Sequence, residues 1–128
     1  MQKHIIFIIV SVFFFTGCAS NAGSFTDLPA GDAERGAMLY TENINGAPNC
    51  ASCHSLEGER LVGPSFAGYS TVADSRVERQ SAEEYTYDAI VRPAIHIVDG
   101  YSNLMYSEYG SKLAEQELAD LIAFLLTQ

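Results

Sequence analysis

Cys50-Ala51-Ser52-Cys53-His54 is the stretch of this sequence that carries the most information. Two cysteines three positions apart, followed at once by a histidine, form the C-x-x-C-H pattern that attaches a c-type haem. The thiols stand about one helical turn apart, so each can add to one vinyl group of the same porphyrin. We therefore predict that Cys50 and Cys53 form thioether links and that His54 is the proximal iron ligand.

Two other chemistries use a C-x-x-C pair, namely a redox-active dithiol and a zinc site. A structural zinc site needs four nitrogen or sulfur ligands, and the remaining candidates are Cys18, His4 and His96. A thioredoxin-like dithiol follows a hydrophobic strand, whereas residues 46–49 (Gly-Ala-Pro-Asn) predict a turn before Cys50. The complete pentapeptide favours haem attachment over both.

The N-terminus has the pattern of an export signal. Lys3 and His4 precede an apolar run over residues 5–15, which is short for a membrane span, and Thr16-Gly17-Cys18 follows. The Gly-Cys pair resembles the lipobox of bacterial lipoproteins, although Phe15 stands where Leu is usual. An ordinary secretory signal is the alternative, but a lone unmodified Cys18 would be an odd reactive thiol in an exported protein.

We therefore predict three parts of the chain. Residues 1–17 are a lipoprotein signal peptide, residues 18–31 are a lipidated Cys18 with a flexible tether, and residues 32–128 are one domain. All three cysteines are then used, one for lipid and two for haem. Export agrees with haem attachment, because c-type haem is attached outside the cytoplasm in bacteria.

Acidic side chains outnumber basic ones by 16 to seven. Removal of residues 1–17 would take away Lys3 and no acid, which leaves six basic side chains and a formal charge of −10. A surface of this sign disfavours nucleic acid and anionic lipid headgroups. We therefore expect no nucleic-acid partner, and we expect lipid chains rather than electrostatics to hold the protein on a membrane.

The domain is predicted to be all-α, with three to four helices and long loops around one covalent haem. Asp32 is a candidate N-cap for a first helix whose apolar face includes Gly36, a position that suggests a close approach to another helix. Ser81-Ala82-Glu83-Glu84 is a capping box for a helix that ends near Pro93. A last helix over about 114–127 has Leu118, Leu121, Ile122 and Leu125 on its apolar face.

The second axial position of the iron has two candidate ligands after His54. Met105 lies in a polar loop just before the final helix, which is an unusual place for a packing methionine. His96 lies in an alternating stretch, Ala-Ile-His-Ile-Val, in which its side chain can face solvent. Met38 precedes the haem motif and is most simply a core or surface residue.

The chain resembles the class I mono-haem cytochromes c, small helical proteins with His/Met iron ligation. The resemblance covers roughly 32–128, and its motifs are in the family's order: Gly36 and Tyr40, residues 50–54, Gly63-Pro64, Met105, and residues 121–125. It implies that the Pro64 carbonyl accepts a hydrogen bond from His54 and that Met105 is the axial ligand. It departs at Tyr106, where most members have Pro, and at residues 44–49, which lengthen the link to the haem motif.

The resemblance implies transfer of single electrons between components of a respiratory or photosynthetic chain, rather than an enzyme acting on its own substrate. Finer similarity is to cytochrome c modules of alternative complex III and of haem–copper oxidase subunit II. The implied partners are therefore a quinol-oxidising complex, an oxidase or a small redox carrier, at the periplasmic or outer face of a membrane. The alternative is a small-ligand-binding or peroxidase-like haem protein with a labile distal site.

Overall fold

The computed structural model describes residues 24–128. Within this range the chain forms four α-helices: α1 (Ala33–Leu39), α2 (Ala82–Val91), α3 (Tyr109–Lys112) and α4 (Glu115–Leu125). Four short 3₁₀ turns accompany them within the described residues, one before α1 and three between α1 and α2: Phe25–Asp27, Cys50–Ser52, Tyr69–Thr71 and Ala73–Ser75. The same residues form no β-strand, only an isolated bridge between Ile44 and Ala47. The predicted all-α class is confirmed.

The first and last helices cross at Gly36, and Gly31, just before α1, also lies against α4. A Cβ atom on Gly36 would lie 2.0 Å from the Asp120 carbonyl oxygen, and one on Gly31 would lie 2.2 Å from that of Ala119. The backbones of α1 and α4 therefore touch, as the position of Gly36 predicts. The four residues predicted for the apolar face of α4, namely Leu118, Leu121, Ile122 and Leu125, are all buried.

An ion pair closes the same crossing on its polar side. Asp120 on α4 is buried, with 2% of its surface exposed, and its carboxylate accepts hydrogen bonds from Arg35 Nε at 2.8 Å and Nη2 at 3.0 Å. The backbone N–H of Asp32 donates to the same carboxylate at 2.7 Å. Asp32 in turn caps α1, because its side chain accepts from the N–H groups of Glu34 and Arg35. Helix capping and helix packing are therefore joined in one polar network.

Helix α2 starts at its predicted cap and lies against the core. The Ser81 hydroxyl accepts from the Glu84 N–H at 3.2 Å, and the helix ends at Val91, before Pro93. The Tyr69 hydroxyl lies 2.8 Å from Thr86 Oγ1, which ties the helix to the preceding loop. Both groups are buried, so each satisfies the other's hydrogen-bonding need.

Two segments differ from prediction. The long loop expected between the helix that ends near Pro93 and the last helix contains α3, whose Tyr109 is buried against the core. Part of the tether predicted over 18–31 is packed, since Phe25 and Leu28 contact the hydrophobic core and Gln116 Nε2 donates to the Ala30 carbonyl. Burial of these apolar side chains offsets the conformational entropy that the segment loses when it is ordered.

The predicted signal peptide and Cys18 lie outside the described residues. Among residues 24–128 no helix has the length and apolar character needed to cross a membrane.

Candidate functional site

A cavity of about 370 Å³ separates the 48–66 region from the segment that leads to α3. Its walls bring together five of the six predicted site residues: Cys50, Cys53, His54, Pro64 and Met105. Tyrosines 69, 85, 101, 106 and 109 also line it, so most of the lining is apolar or aromatic.

The haem motif begins in a 3₁₀ turn that presents its three reactive side chains together. Asn49 caps the turn, with its Oδ1 accepting from the Ser52 N–H at 2.8 Å. The N–H groups of Cys53 and His54 both donate to the Cys50 carbonyl, at 3.1 and 3.0 Å. The lengthened link before it folds into an Asn45-Gly46 turn with φ of 49° and 83°, as in a type I′ hairpin. The added residues therefore form a compact turn ahead of the motif.

Two tyrosine hydroxyls hold the backbone on either side of the motif. Tyr40, at the end of α1, donates to the His54 carbonyl, and Tyr109, on α3, donates to the Pro48 carbonyl at 2.8 Å. Burial raises the pKa of Tyr40 to about 12 and also raises that of Tyr109, so both hydroxyls stay protonated donors. The helices thus fix the position of the haem motif.

His54 is oriented for coordination through one ring nitrogen. Its Nδ1 lies 2.7 Å from the Pro64 carbonyl oxygen, which accepts a hydrogen bond from Nδ1–H, so the proton stays on Nδ1 and Nε2 keeps a free lone pair. The ring stacks on Phe66 at 4.8 Å between centroids. Burial lowers the pKa of His54, and the Pro64 contact offsets this only in part, so the neutral imidazole is favoured.

Gly63 gives the histidine ring its space. A Cβ atom at this position would lie 2.4 Å from His54 Cε1 and 2.7 Å from Nδ1. The Gly63 N–H donates to the Cys53 carbonyl at 2.8 Å, so the glycine backbone is held directly against the motif. Any larger residue would push the imidazole away from Pro64.

The cysteines lack the features of the two alternative chemistries. Burial raises the pKa of Cys50 to about 11, whereas a reactive dithiol cysteine has a lowered pKa. Among residues 24–128 no group of three His, Cys, Asp or Glu side chains is placed to hold a metal ion. Neither a redox dithiol nor a zinc site is supported by this part of the chain.

A family model described as Cytochrome c matches residues 33–128. The chain belongs to the cytochrome c family. It accordingly carries covalently bound haem c with its iron and belongs to a family of haem electron carriers. A comparison with curated proteins finds no match.

The residues on the cavity walls fit the haem of a cytochrome c. Arg76 lines the cavity, and its Nε is buried without a hydrogen-bond partner. A haem propionate would supply the missing carboxylate, since a buried donor left unpaired costs about 1–3 kcal/mol. The two thiols of the motif match the two vinyl groups of one porphyrin, and the neutral imidazole matches its iron. The unpaired Arg76 Nε–H matches one of its acid groups.

The distal wall of this cytochrome contains both candidate ligands. Met105 is half-buried and packs against the core, and His96 lies with its ring edge-on to Tyr85 at 5.4 Å. Tyr106, in the family's usual Pro position, donates to Glu108 Oε2 at 3.0 Å and packs on Tyr109 at 5.1 Å. The departure at Tyr106 is thus accommodated by contacts with α3.

Sequence reasoning did not identify Arg76, Tyr109 or Thr86 as part of the site. Arg76 stands in a mixed-charge loop between Asp74 and Glu78, a pattern typical of a solvated surface, so nothing marked it as part of the site. Their roles depend on contacts between residues far apart in sequence, which periodicity does not show.

Proposed function

We propose that this cytochrome is an exported, lipid-anchored mono-haem carrier that passes single electrons between components of a respiratory or photosynthetic chain. His54 and Met105 are its axial ligands in this proposal, and Cys50 and Cys53 its thioether links. The observation that carries it is the cavity, which has the haem motif and the His54–Pro64 contact on one wall and Met105 on another. Bound haem supplies a reversible one-electron couple at its iron.

The chain's own side chains tune and protect that couple. The Pro64 carbonyl accepts a hydrogen bond from His54 Nδ1–H, which makes the opposite ring nitrogen a stronger electron donor to the iron. Met105 supplies a thioether, the type of ligand that raises the potential of c-type cytochromes. The aromatic lining excludes water, so little reorganisation accompanies a change of charge at the iron.

The axial assignment is tested by removing each candidate ligand. Ferric wild-type protein should show the weak far-red band of sulfur-to-iron coordination. Met105→Ala should abolish this band, lower the reduction potential and open the reduced iron to carbon monoxide, because the thioether is lost. His96→Ala is the matched control and should leave band and potential nearly unchanged.

The opposite pattern would point to bis-histidine ligation. If His96→Ala perturbs both signals and Met105→Ala perturbs neither, the assignment of Met105 is wrong. If wild-type reduced protein already binds carbon monoxide tightly, the small-ligand-binding alternative replaces electron transfer.

The anchor is proposed from the Thr16-Gly17-Cys18 site. Two or more acyl chains on Cys18 would give stable attachment, which a single chain does not. Intact mass should then begin at Cys18 and include acyl mass. Cys18→Ser should release a soluble, haem-loaded protein, and retention of this variant in partner-free membranes would contradict the anchor.

The partners proposed are a quinol-oxidising complex, an oxidase or a small redox carrier. This step rests on similarity to lipid-anchored modules of alternative complex III and of oxidase subunit II. Extraction of native membranes in mild detergent tests it directly. Co-migration with one such complex supports a fixed subunit, whereas migration as a free monomer supports a tethered shuttle.

A further inference from the structure

An arginine joins the two sides of the haem cavity at the surface. The Arg60 guanidinium carbon lies 4.2 Å from the centroid of the Tyr101 ring, and its Nη2 donates to the Gly100 carbonyl. One side chain therefore makes a cation–π contact and a charge-assisted hydrogen bond with consecutive residues. We call Arg60, Gly100 and Tyr101 the loop clamp.

The clamp links the proximal loop to the segment that leads to Met105. Arg60 lies between His54 and Pro64, whereas Tyr101 lies four residues before Met105. Gly100 has φ of 83°, and the Tyr101 N–H donates to the Val98 carbonyl at 3.0 Å, as in a type II turn. The clamp thus holds a turn whose following residues carry the distal ligand.

The distal segment depends on such a tie because its own bonds are local. The backbone N–H groups of Tyr101 and Leu104 donate to carbonyls at most three residues away. The side chain of Leu104 is 70% exposed, so the segment is lightly packed on its outer side. Segments with local bonds and exposed side chains are the first to open in a native protein.

We propose that Arg60 is a positioning residue, which keeps the 98–105 segment closed and thereby keeps Met105 on the iron. The inference rests on the proposed role of Met105. An exposed charge alone contributes little to stability. The planar guanidinium stacks on Tyr101 and donates to Gly100 at the same time, so it stabilises the closed form of this one segment. Lysine cannot reproduce that geometry.

The experiment measures the open fraction of the segment in ferric holoprotein. Imidazole binds the iron only after Met105 has left, so its apparent affinity rises in proportion to the open population. Arg60→Gln should raise that affinity about two- to five-fold, the factor that corresponds to a cation–π contact at an exposed site. The decrease of the far-red band as imidazole is added measures the same apparent affinity independently.

Three comparison variants separate the clamp from a charge effect. Arg79→Gln removes the same charge from an exposed arginine paired with Glu78 and should match wild type. Arg60→Lys keeps the charge but loses the stack, and it should behave like Arg60→Gln. Tyr101→Leu removes the ring, so Arg60→Gln should have no further effect when it is added to Tyr101→Leu.

Either of two affinity results overturns the clamp. One is an Arg60→Gln affinity equal to wild type, and the other is an Arg60→Lys variant that behaves like wild type. Hydrogen exchange at the Tyr101 amide keeps the inference separate from the ligand assignment. Faster exchange in Arg60→Gln than in Arg79→Gln supports the clamp whichever residue binds iron, and equal exchange overturns it. A wild-type protein without the far-red band contradicts the Met105 assignment instead.

Discussion

At the scale of single residues, the imidazole of His54 is fixed by backbone groups on two sides. The Pro64 carbonyl accepts a hydrogen bond from Nδ1, and the absence of a side chain at Gly63 leaves room for the ring. Gly63→Ala should tilt the ring and lengthen the contact with Pro64. That contact makes the imidazole a stronger electron donor and stabilises the ferric state, so its loss should raise the reduction potential. Each tenfold change in the relative stability of the ferric and ferrous states corresponds to about 59 mV.

Leu61→Ala is the control for Gly63→Ala. Leu61 belongs to the same loop and is exposed, so its truncation should leave the potential unchanged. Redox titration of both variants beside wild type checks the expectation. Equal potentials in all three proteins would mean that the Pro64 contact does not tune the iron.

Asp120 supplies a second test at this scale, through the pH dependence of stability. Hydrogen bonds from Arg35 lower the pKa of Asp120 to about 2, against a usual value of 3.8. A carboxyl with a depressed folded-state pKa stabilises the protein above its unfolded pKa, and this contribution is lost as pH falls through the folded value. Asp120→Asn should therefore cost about 2 kcal/mol at pH 7.

Urea unfolding of the holoprotein as a function of pH measures this difference. The gap between wild type and Asp120→Asn should be constant above about pH 5 and shrink progressively as the pH falls toward about 1. Asp74→Asn, at an exposed carboxylate, should change stability by no more than about 0.5 kcal/mol. A gap that persists at low pH would show that packing, rather than charge, accounts for the loss.

How far the sequence predicts residues depends on whether their role is local. Cys50, Cys53 and His54 follow from spacing alone, and the structure brings them together on the cavity wall with Met105. Arg60 and Arg76 have no such signal. Arg60 contacts a turn that is distant in sequence, and the Nε of Arg76 is buried in the cavity without a hydrogen-bond partner. Long-range polar contacts have no period in the sequence, so only the fold displays them.

At the scale of elements, the α1–α4 crossing sets the frame that carries the haem motif. Tyr40 caps the C-terminus of α1 and donates a hydrogen bond to the His54 carbonyl, and α4 follows the segment that carries Met105 and α3. Apolar periodicity predicted α4, because its buried face is continuous. It did not reveal α3, which has only four residues and is held mainly through Tyr109.

Gly36→Ala should destabilise this crossing although alanine favours helix. The added Cβ would lie 2.6 Å from Phe124 Cβ as well as 2.0 Å from the Asp120 carbonyl, so the helices must separate. Overpacking of this kind costs about 1–3 kcal/mol, which exceeds the helix-propensity gain of about 1 kcal/mol. The urea midpoint should fall with little change in slope.

Gly110→Ala gives the matched comparison in α3. The nearest atom to the added Cβ would be Val91 Cβ at 3.3 Å, a contact that a small shift relieves. Stability should therefore stay within about 0.5 kcal/mol of wild type or improve slightly. Equal loss in both glycine variants would mean that helix separation is not the cause.

At the scale of the whole molecule, charge and the rim of the cavity present two different means of docking. The chain has a formal charge of −9, which favours a basic partner. The rim includes exposed apolar side chains, with Val62 53% and Leu104 70% exposed. Electrostatic steering depends on salt and apolar contact does not, so ionic strength separates the two.

Small redox probes of opposite charge measure the field at the haem edge without a protein partner. Raising ionic strength from 0.01 to 0.15 M shortens the Debye length from about 30 to about 8 Å. Reduction of mature protein, in neutral detergent, by cationic hexaammineruthenium(II) should slow over this range, and its oxidation by anionic ferricyanide should accelerate. If both rates are flat, the acidic side chains lie away from the electron-transfer edge, and docking there must depend on Val62 and Leu104. If the cation's rate rises with salt, the edge is positive and a basic partner is the wrong expectation.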